Sequence, residues 1–209
     1  MSTRRAAPTL VIATRNRGKA AELAALIREA AALPLLRAKT LADYAAPPEV
    51  VEDGDSYEAN AAKKARAVAA ALGAPALADD SGLEVDAMGG RPGLHSARYP
   101  APGATSPAQV AALLRELAGV PPERRGARFV CALVLALPDG REAAARGVVE
   151  GTIAEAPRGE GGFGYDPIFV PRGEARTYAE MSAAEKARTS HRGAAARAIA
   201  TALKRLLDA

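Results

Sequence analysis

Asp79 and Asp80 follow the apolar run Pro75-Ala76-Leu77-Ala78 and precede Ser81-Gly82-Leu83-Glu84-Val85-Asp86. This order reads as a strand that carries two acids to its carboxyl end, where open α/β sheets place their ligands, with Ser81-Gly82 as the turn that follows. Adjacent carboxylates repel each other, so the pair has little value as a stabilising feature. A divalent cation would neutralise it. A solvated turn uses the same residue types, and this segment alone leaves both readings open.

Other stretches carry residues suited to phosphate. Thr14-Arg15-Asn16-Arg17-Gly18-Lys19 lies between the apolar run Thr9–Ala13 and a helix from Ala20 whose Leu23, Leu26 and Ile27 share one face. A loop entering a helix offers free N–H groups and the positive end of the helix dipole. Thr14 and Asn16 add neutral hydrogen-bonding groups and Lys19 adds charge. It is not a P-loop: the earlier glycine is missing, and Ala20 follows the lysine. A capped solvent loop is the alternative. Glu52-Asp53-Gly54-Asp55 is a second acidic cluster, placed where acids ordinarily sit before a helix. In the helix that follows, Asn60 and Lys64 share a face, while Lys63 points about 100° away and is expected in solvent. If the helix flanks a triphosphate site, Lys64 is the lysine that would face it.

Phe163-Gly164-Tyr165-Asp166 combines two rings, a glycine and a carboxylate on a glycine-rich lip, suited to stacking on a planar base or to plugging a core. Lys186, His191 and Arg192 form a basic cluster, read either as a solvated helix face or as donors aimed into a cleft. His95 reads as structural or exposed. Two distant histidines and the single Cys131, in an apolar strand-like run, give poor support to zinc or Cys–His nucleophilic chemistry.

The elements that must position these residues alternate between strand and helix. A second strand is expected over Leu35–Leu41 after Pro34, and a helix over Tyr57–Leu72 capped by Asp55 or Ser56 and ended by Gly73. A loop over residues 89–105 leads to a helix with Ser106 at N-cap and Pro107 at N1, running through Leu117. Residues 128–137 are a strong strand, Pro138-Asp139-Gly140 a turn, and Glu142–Ile153 a weaker returning strand. A mobile loop over 159–167 enters Ile168-Phe169-Val170. Ser182 and Glu185 form a capping box, and helical sequence then continues to the end with a bend at Gly193. The hairpin makes the sheet mixed. Residues 1–8 read as a flexible tail before one catalytic α/β domain over 9–209, with room for two lobes.

Composition sets bounds. The chain has 209 residues, 49% of them hydrophobic, which is ample for a core. Its net charge of +4 allows an anionic partner, but only 4% of residues are aromatic, with no Trp. Basic residues are interspersed with acids, so neither base-stacking platforms nor a dedicated nucleic-acid surface is expected. No window reaches the apolar length of a membrane span. The basic start lacks an apolar signal core, and a buried free cysteine suits a reducing cytoplasm.

Together these segments resemble the family of inosine/xanthosine triphosphate pyrophosphatases, over nearly the whole chain from about Leu10 to about Leu207. Thr14, Asn16 and Lys19 match its Thr-x-Asn-x-x-Lys loop. Glu52, Gly54, Ser56, Tyr57, Asn60, Ala61, Lys64 and Ala65 match its Glu-x-Gly pattern running into Asn-Ala-x-x-Lys-Ala. Asp79-Asp80-Ser81-Gly82-Leu83, Ser96-Ala97-Arg98-Tyr99, Gly162-Phe163-Gly164-Tyr165-Asp166-Pro167 and Ser190-His191-Arg192-Gly193 complete the set in the family's order. The resemblance implies hydrolysis of ITP, dITP and XTP between the α and β phosphates, use of Mg²⁺, homodimers, and an elongated α/β body with a central mixed sheet, flanking helices and an active-site cleft. By position it implies Asp80 as the catalytic and metal-binding acid and Glu52 as a second metal ligand. Substrate contacts are implied for Thr14, Arg15, Asn16, Arg17, Gly18, Lys19, Lys64, Ser81 and Lys186, and contacts near the base for Phe163, Gly164, Tyr165, Asp166, His191 and Arg192. Asp79 is left a supporting or structural role. A relative acting on modified pyrimidine nucleotides, or a non-catalytic nucleotide or RNA sensor, would use a similar basic cleft.

Overall fold

The computed structural model describes residues 9–208, so the expected tail over 1–8 lies outside the described residues. Among them are six strands: β1 (Thr9–Ile12), β2 (Arg37–Thr40), β3 (Ala76–Val85), β4 (Gly126–Ala136), β5 (Glu142–Ile153) and β6 (Phe169–Pro171). The helices are α1 (Arg17–Ala30), α2 (Tyr57–Leu72), α3 (Ser106–Glu116), α4 (Ala183–Thr189) and α5 (His191–Asp208). The strands form one sheet in the order β2-β1-β3-β4-β5-β6. β1 runs parallel to both β2 and β3, and β5 runs antiparallel to β6. β4 and β5 are joined by the short Leu137–Arg141 connection, with Leu137 N–H bonded to the Arg141 carbonyl at 2.8 Å, a link that only antiparallel neighbours can make. The fold is thus α/β with a mixed sheet flanked by helices.

The chain divides into two compact units, each assembled from separate segments. Unit 1 takes its described residues from the part up to Asp80, from Ala132–Arg146 and from the part beginning at Ala195; unit 2 comprises Ser81–Cys131 and Gly147–Ala194. In unit 1 the β1 residues Leu10, Val11 and Ile12 are buried together with Leu23, Leu26 and Ile27 of α1. α2 buries Tyr57, Asn60, Ala61, Ala65, Val68 and Ala69, a stripe with a helical repeat built mainly of small residues. Unit 2 has a core of Leu83, Val85, Val110, Leu113, Leu117, Phe129, Ile168, Phe169 and Tyr178, among others. Phe129 packs against Phe169 and stacks on His191, each at a centroid distance of 4.6 Å. Cys131 is buried in β4, as expected.

Several boundaries differ from the sequence reading, each for a local reason. β3 does not stop at the acids. Ser81-Gly82 continues the strand because Leu83 and Val85 enter the core of unit 2, leaving Asp79 and Asp80 in mid-strand. They nevertheless lie past the end of a neighbour, since β1 pairs only as far as Ile12 opposite Leu77. α1 starts at Arg17, so Gly18 and Lys19 belong to its first turn and not to a loop, with Asn16 as N-cap. Thr105 occupies the N-cap position of α3 without a side-chain capping bond, which places Ser106 and Pro107 inside the helix. The C-terminal helical sequence breaks at Ser190, an extended residue whose Oγ accepts the Gly193 N–H, so Gly193 is helical and is not the bend. By contrast, α2 is capped by Ser56 and ended by a left-handed Gly73, and the Ser182–Glu185 capping box is formed.

Gly151 of β5 shows how tightly the edge of the sheet is built. A Cβ there would strike the Val170 carbonyl oxygen and lie 2.6 Å from Phe169 Cζ. Gly151→Ala is expected to lose about 1–3 kcal/mol of unfolding free energy in urea titrations. An unchanged midpoint would contradict this packing of β5 on β6.

Candidate functional site

The polar side chains of unit 1 converge on β3. Successive strand residues point to opposite faces, so Asp79 and Asp80 do not confront each other. The expected repulsion between them is relieved by geometry. The Asp79 carboxylate, 1% exposed, meets Lys19 of α1, with Nζ 3.1 Å from Oδ2. The Asp80 carboxylate meets α2 instead, and its Oδ2 accepts from Asn60 Nδ2 at 3.0 Å. Lys64, one helical turn beyond Asn60, donates to the Asp79 backbone carbonyl at 2.6 Å and lies 3.1 Å from Glu52 Oε2. Lys63 turns away to Asp53 at the surface, as helical geometry requires.

The phosphate-loop candidates sit at the start of α1. Asn16 Oδ1 caps the helix by accepting the Lys19 N–H at 3.0 Å, and Thr14 Oγ1 accepts the Asn16 N–H at 3.2 Å. These bonds fix the loop and leave the Asn16 Nδ2 amide as what that side chain can offer a ligand. Arg15 lies on the surface, 3.2 Å from Glu49. Gly18 is exposed in the first turn, and the Arg17 side chain lies outside the described residues. Thr14, Arg15, Glu52 and Lys64 help line a cavity of about 120 Å³. Thr14 and Arg15 also border a larger, mostly apolar pocket of about 500 Å³ between alanines of α1 and the segment after β2.

Electrostatics single out Asp80. Burial pushes its carboxyl above the ordinary aspartate value, and the charge of Glu52 pushes the same way. Lys64, the Asn60 hydrogen bond and Lys19 pull it back down without cancelling the effect of burial.

Unit 2 holds a second constellation. Asp166 Oδ2 accepts both the Phe163 N–H at 2.8 Å and Lys186 Nζ at 2.6 Å, and the Asp166 and Lys186 side chains are both buried. Gly162, with positive φ, makes this possible, since any Cβ there would strike the Asp166 carboxylate. The Phe163 ring carries Lys186 Nζ at 4.6 Å and the Arg192 guanidinium carbon at 5.2 Å from its centroid. Arg192 donates to Ser81 Oγ at 2.8 Å. Gly164 N–H is bound by Ser106 Oγ at 3.0 Å. The Tyr165 ring is buried in the core and its hydroxyl donates to the Ser96 carbonyl, so its backbone is what remains for a ligand. His191 is likewise buried against Phe129. The structure therefore gathers Lys19, Glu52, Lys64 and Asp80 in unit 1 and Ser81, Phe163, Asp166, Lys186 and Arg192 in unit 2. His95 is exposed, outside both groups. Asn60, a polar residue in the apolar stripe of α2, was not among the site candidates, although its place in that stripe marks it.

The raised Asp80 carboxyl has a consequence for stability. Between the ordinary value near 3.8 and its higher folded value, the folded chain retains a proton that the unfolded chain has lost. That contribution is greatest below the ordinary value and is lost as pH rises through the folded value. In metal-free buffer Asp80→Asn is therefore expected to melt above the wild type at about pH 7.5, with the gap closing toward about pH 4. A variant less stable than the wild type at neutral pH would contradict the stated balance between burial and the lysines.

The family model described as Ham1 matches residues 10–202. A dITP/XTP pyrophosphatase from Syntrophobacter fumaroxidans is 52% identical over 186 residues, 89% of this chain and 78% of that protein. A Ham1 protein structure from Coxiella burnetii superposes with a TM-score of 0.82 at 36% identity, covering 95% of this chain and 99% of the other. The crystal structure of a nucleoside-triphosphatase, dITP/XTP pyrophosphatase, from Mycobacterium abscessus gives 0.70 at 44% identity, covering 93% and 98%. With its sequence matched from one end of the fold to the other and both polar clusters in place, the chain belongs to the Ham1 family.

Proposed function

We propose that this chain hydrolyses the non-standard purine nucleoside triphosphates ITP, dITP and XTP to the monophosphate and pyrophosphate, removing deaminated purines from the nucleotide pool. The observation that carries the reading is the unit 1 cluster, in which the carboxylates Asp80 and Glu52 and the lysines Lys19 and Lys64 surround β3 beside a helix amino terminus. The names of the relatives supply the substrate class. A homodimer in the cytoplasm, without a nucleic-acid or membrane partner, goes with the same reading. Among the described residues no helix is long and apolar enough to cross a membrane.

The residues fit Mg²⁺. Among the described residues no three His, Cys, Asp or Glu side chains converge, so the protein does not build a closed cage. Mg²⁺ is ordinarily held by one or two carboxylates together with substrate phosphates and water. Glu52 and Asp80 are the residues that would hold it. The observation that favours a cation there is the buried Asp80 carboxyl, raised above the ordinary aspartate value by burial and by the charge of Glu52. When bound, the ion supplies charge to offset that developing on the phosphates and helps orient water.

The chain's own residues account for the rest. The α1 amino terminus and Lys19 bind phosphate oxygens, and Lys64 exchanges Glu52 for phosphate. A water attacks the α-phosphorus in line while pyrophosphate leaves, and an Asp80 oxygen takes its proton. A carboxyl held above its usual range is a stronger base for that transfer, a role worth about 10²–10⁴ in rate. In unit 2, the Phe163 ring and the Arg192 guanidinium suit a planar base with an acceptor oxygen at position 6. Adenine presents an amino donor there and would leave Arg192 unmatched; sites that demand such a bond can discriminate by about 10⁴–10⁵.

The reading is tested by pyrophosphate release from a panel of ITP, dITP, XTP, ATP, dTTP and modified UTP, with and without Mg²⁺. Release from the deaminated purines alone, and only with the metal, is expected. Preference for a modified pyrimidine would favour a related pyrophosphatase, and binding without turnover a sensor. Asp80→Asn is expected to lower kcat by at least about 10² at saturating Mg²⁺. Arg192→Ala is expected to reduce the ITP over ATP preference by at least about tenfold. Full preference in that variant would remove Arg192 from base selection.

A further inference from the structure

We infer that Asn60 is the positioning residue that sets the Asp80 carboxylate and the Glu52 segment in one geometry, a role that rests on the hydrolase reading above. Asn60 is 3% exposed, yet both ends of its carboxamide are engaged. Its Oδ1 accepts the Gly54 N–H at 2.8 Å, and its Nδ2 donates to Asp80 Oδ2 at 3.0 Å. The orientation of the amide follows from chemistry. Gly54 N–H can only donate, so it requires the oxygen, and the NH₂ is then the end that faces the carboxylate. Gly54 stands two residues after Glu52. One buried amide thus ties the acid on β3 to the stretch of chain that presents the other acid.

The surroundings leave this link little freedom. A Cβ on Gly54 would lie 2.8 Å from Asn60 Oδ1 and 3.0 Å from Ala59 Cβ, so the approach of the turn to α2 requires glycine. Asn60 lies in the buried stripe of α2 between Tyr57 and Ala61, and its own N–H is used by the Ser56 carbonyl. Lys64, on the same face, grips Glu52 from the next turn. α2 therefore contacts both carboxylates through two side chains with different tasks: Lys64 supplies charge, and Asn60 supplies direction. A carboxylate free to rotate would present its proton-accepting oxygen away from the attacking water, and a misplacement of about 1 Å costs about 10²-fold in rate.

Asn60→Asp separates positioning from mere structure, because the new side chain still accepts from Gly54 N–H but confronts Asp80 with a second carboxylate. In ITP hydrolysis its kcat is expected to fall about 10²-fold with KM changed less than about threefold, because Lys19 and Lys64 retain their grip. Gly54→Ala, which pushes on the same oxygen, is expected to act in the same direction and to add little in the double variant. Thermal melts in metal-free buffer give a second readout. Asn60→Asp should lower Tm by about 4 °C or more. Adding Asp80→Asn, which exchanges donor and acceptor across the contact, should raise Tm by more in that background than in the wild type. Wild-type kcat for Asn60→Asp, an equal loss in KM, or a Tm gain from Asp80→Asn that is the same in both backgrounds would overturn the inference. If Asn60→Asp alone does not fold, the double variant Asn60→Asp with Asp80→Asn, together with Gly54→Ala, decides it: recovery of a folded chain by the second substitution and a kcat loss in Gly54→Ala support the link, and failure of either overturns it. If the wild type releases no pyrophosphate from ITP, the hydrolase reading fails, while the Tm comparison still tests the contact.

Discussion

Charged groups withdrawn from water govern the design of unit 1. Around β3 stand three carboxylates, Asp79, Asp80 and Glu52, and two ammonium groups, Lys19 and Lys64. The buried Asp79 and Asp80 lose hydration that only close pairing can replace, and removing one member of a buried pair typically costs about 3–5 kcal/mol, whereas Glu52 keeps part of its contact with water. The arrangement is therefore mutually enforcing. Lys19 fixes the start of α1 against the strand, and Lys64 and Asn60 fix α2 against it. Burial raises the Asp80 carboxyl above the ordinary aspartate value, while Lys64, the Asn60 hydrogen bond and Lys19 act against it. In this state the lysines rest on acids. The pairs that stabilise the fold also keep both lysines extended.

Unit 2 solves a different problem with similar means. Asp166 gathers one ammonium and one backbone N–H, and the positive φ of Gly162 lets the peptide of Phe163 come close enough to reach it. The effect is to hold the peptide of Phe163 in place on a glycine-rich lip. Lys186 serves twice, as the partner of Asp166 and as a cation on the Phe163 ring. Arg192 is directed by Ser81 and lies against the same ring. The aromatic core beneath, with Phe129 between Phe169 and His191, supplies the rigid support.

Much of this was legible in the sequence because the signals were local. Ser56 and Gly73 bracket α2 by capping chemistry, Ser182 and Glu185 announce α4, and helical spacing alone separates Lys64 from Lys63. What was not legible depended on tertiary packing. Ser81-Gly82 has turn composition, yet Leu83 and Val85 are needed by a core that sequence cannot locate, and that demand prolongs β3 through the pair. Adjacent acids look repulsive in a line of letters, whereas strand alternation sends them to different helices. Thr105 and Ser106 are chemically equivalent N-caps, so the register of α3 was open by one residue. Ser190 broke the last helix in place of Gly193 because its hydroxyl caps the Gly193 amide, a bond invisible until the backbone turns. Asn60 was seen on the same face as Lys64, but its two hydrogen bonds join segments 6 and 20 residues away.

The position of β3 in the sheet then becomes the specification of the chemistry. Asp79, Asp80 and Ser81 are consecutive, and their partners come from three helices: Lys19 of α1, Asn60 of α2 and Arg192 of α5. Because side chains alternate along a strand, a slip of one residue would present Ala78 to Lys19 or turn Asp79 toward Asn60, leaving a buried lysine without its acid. The pairing of Val11 with Ala76 and Ile12 with Leu77 holds the register in unit 1, and the burial of Leu83 and Val85 holds it in unit 2. The apolar residues on either side of the acids are therefore as much a part of the site as the acids, since they decide which carboxylate meets which cation.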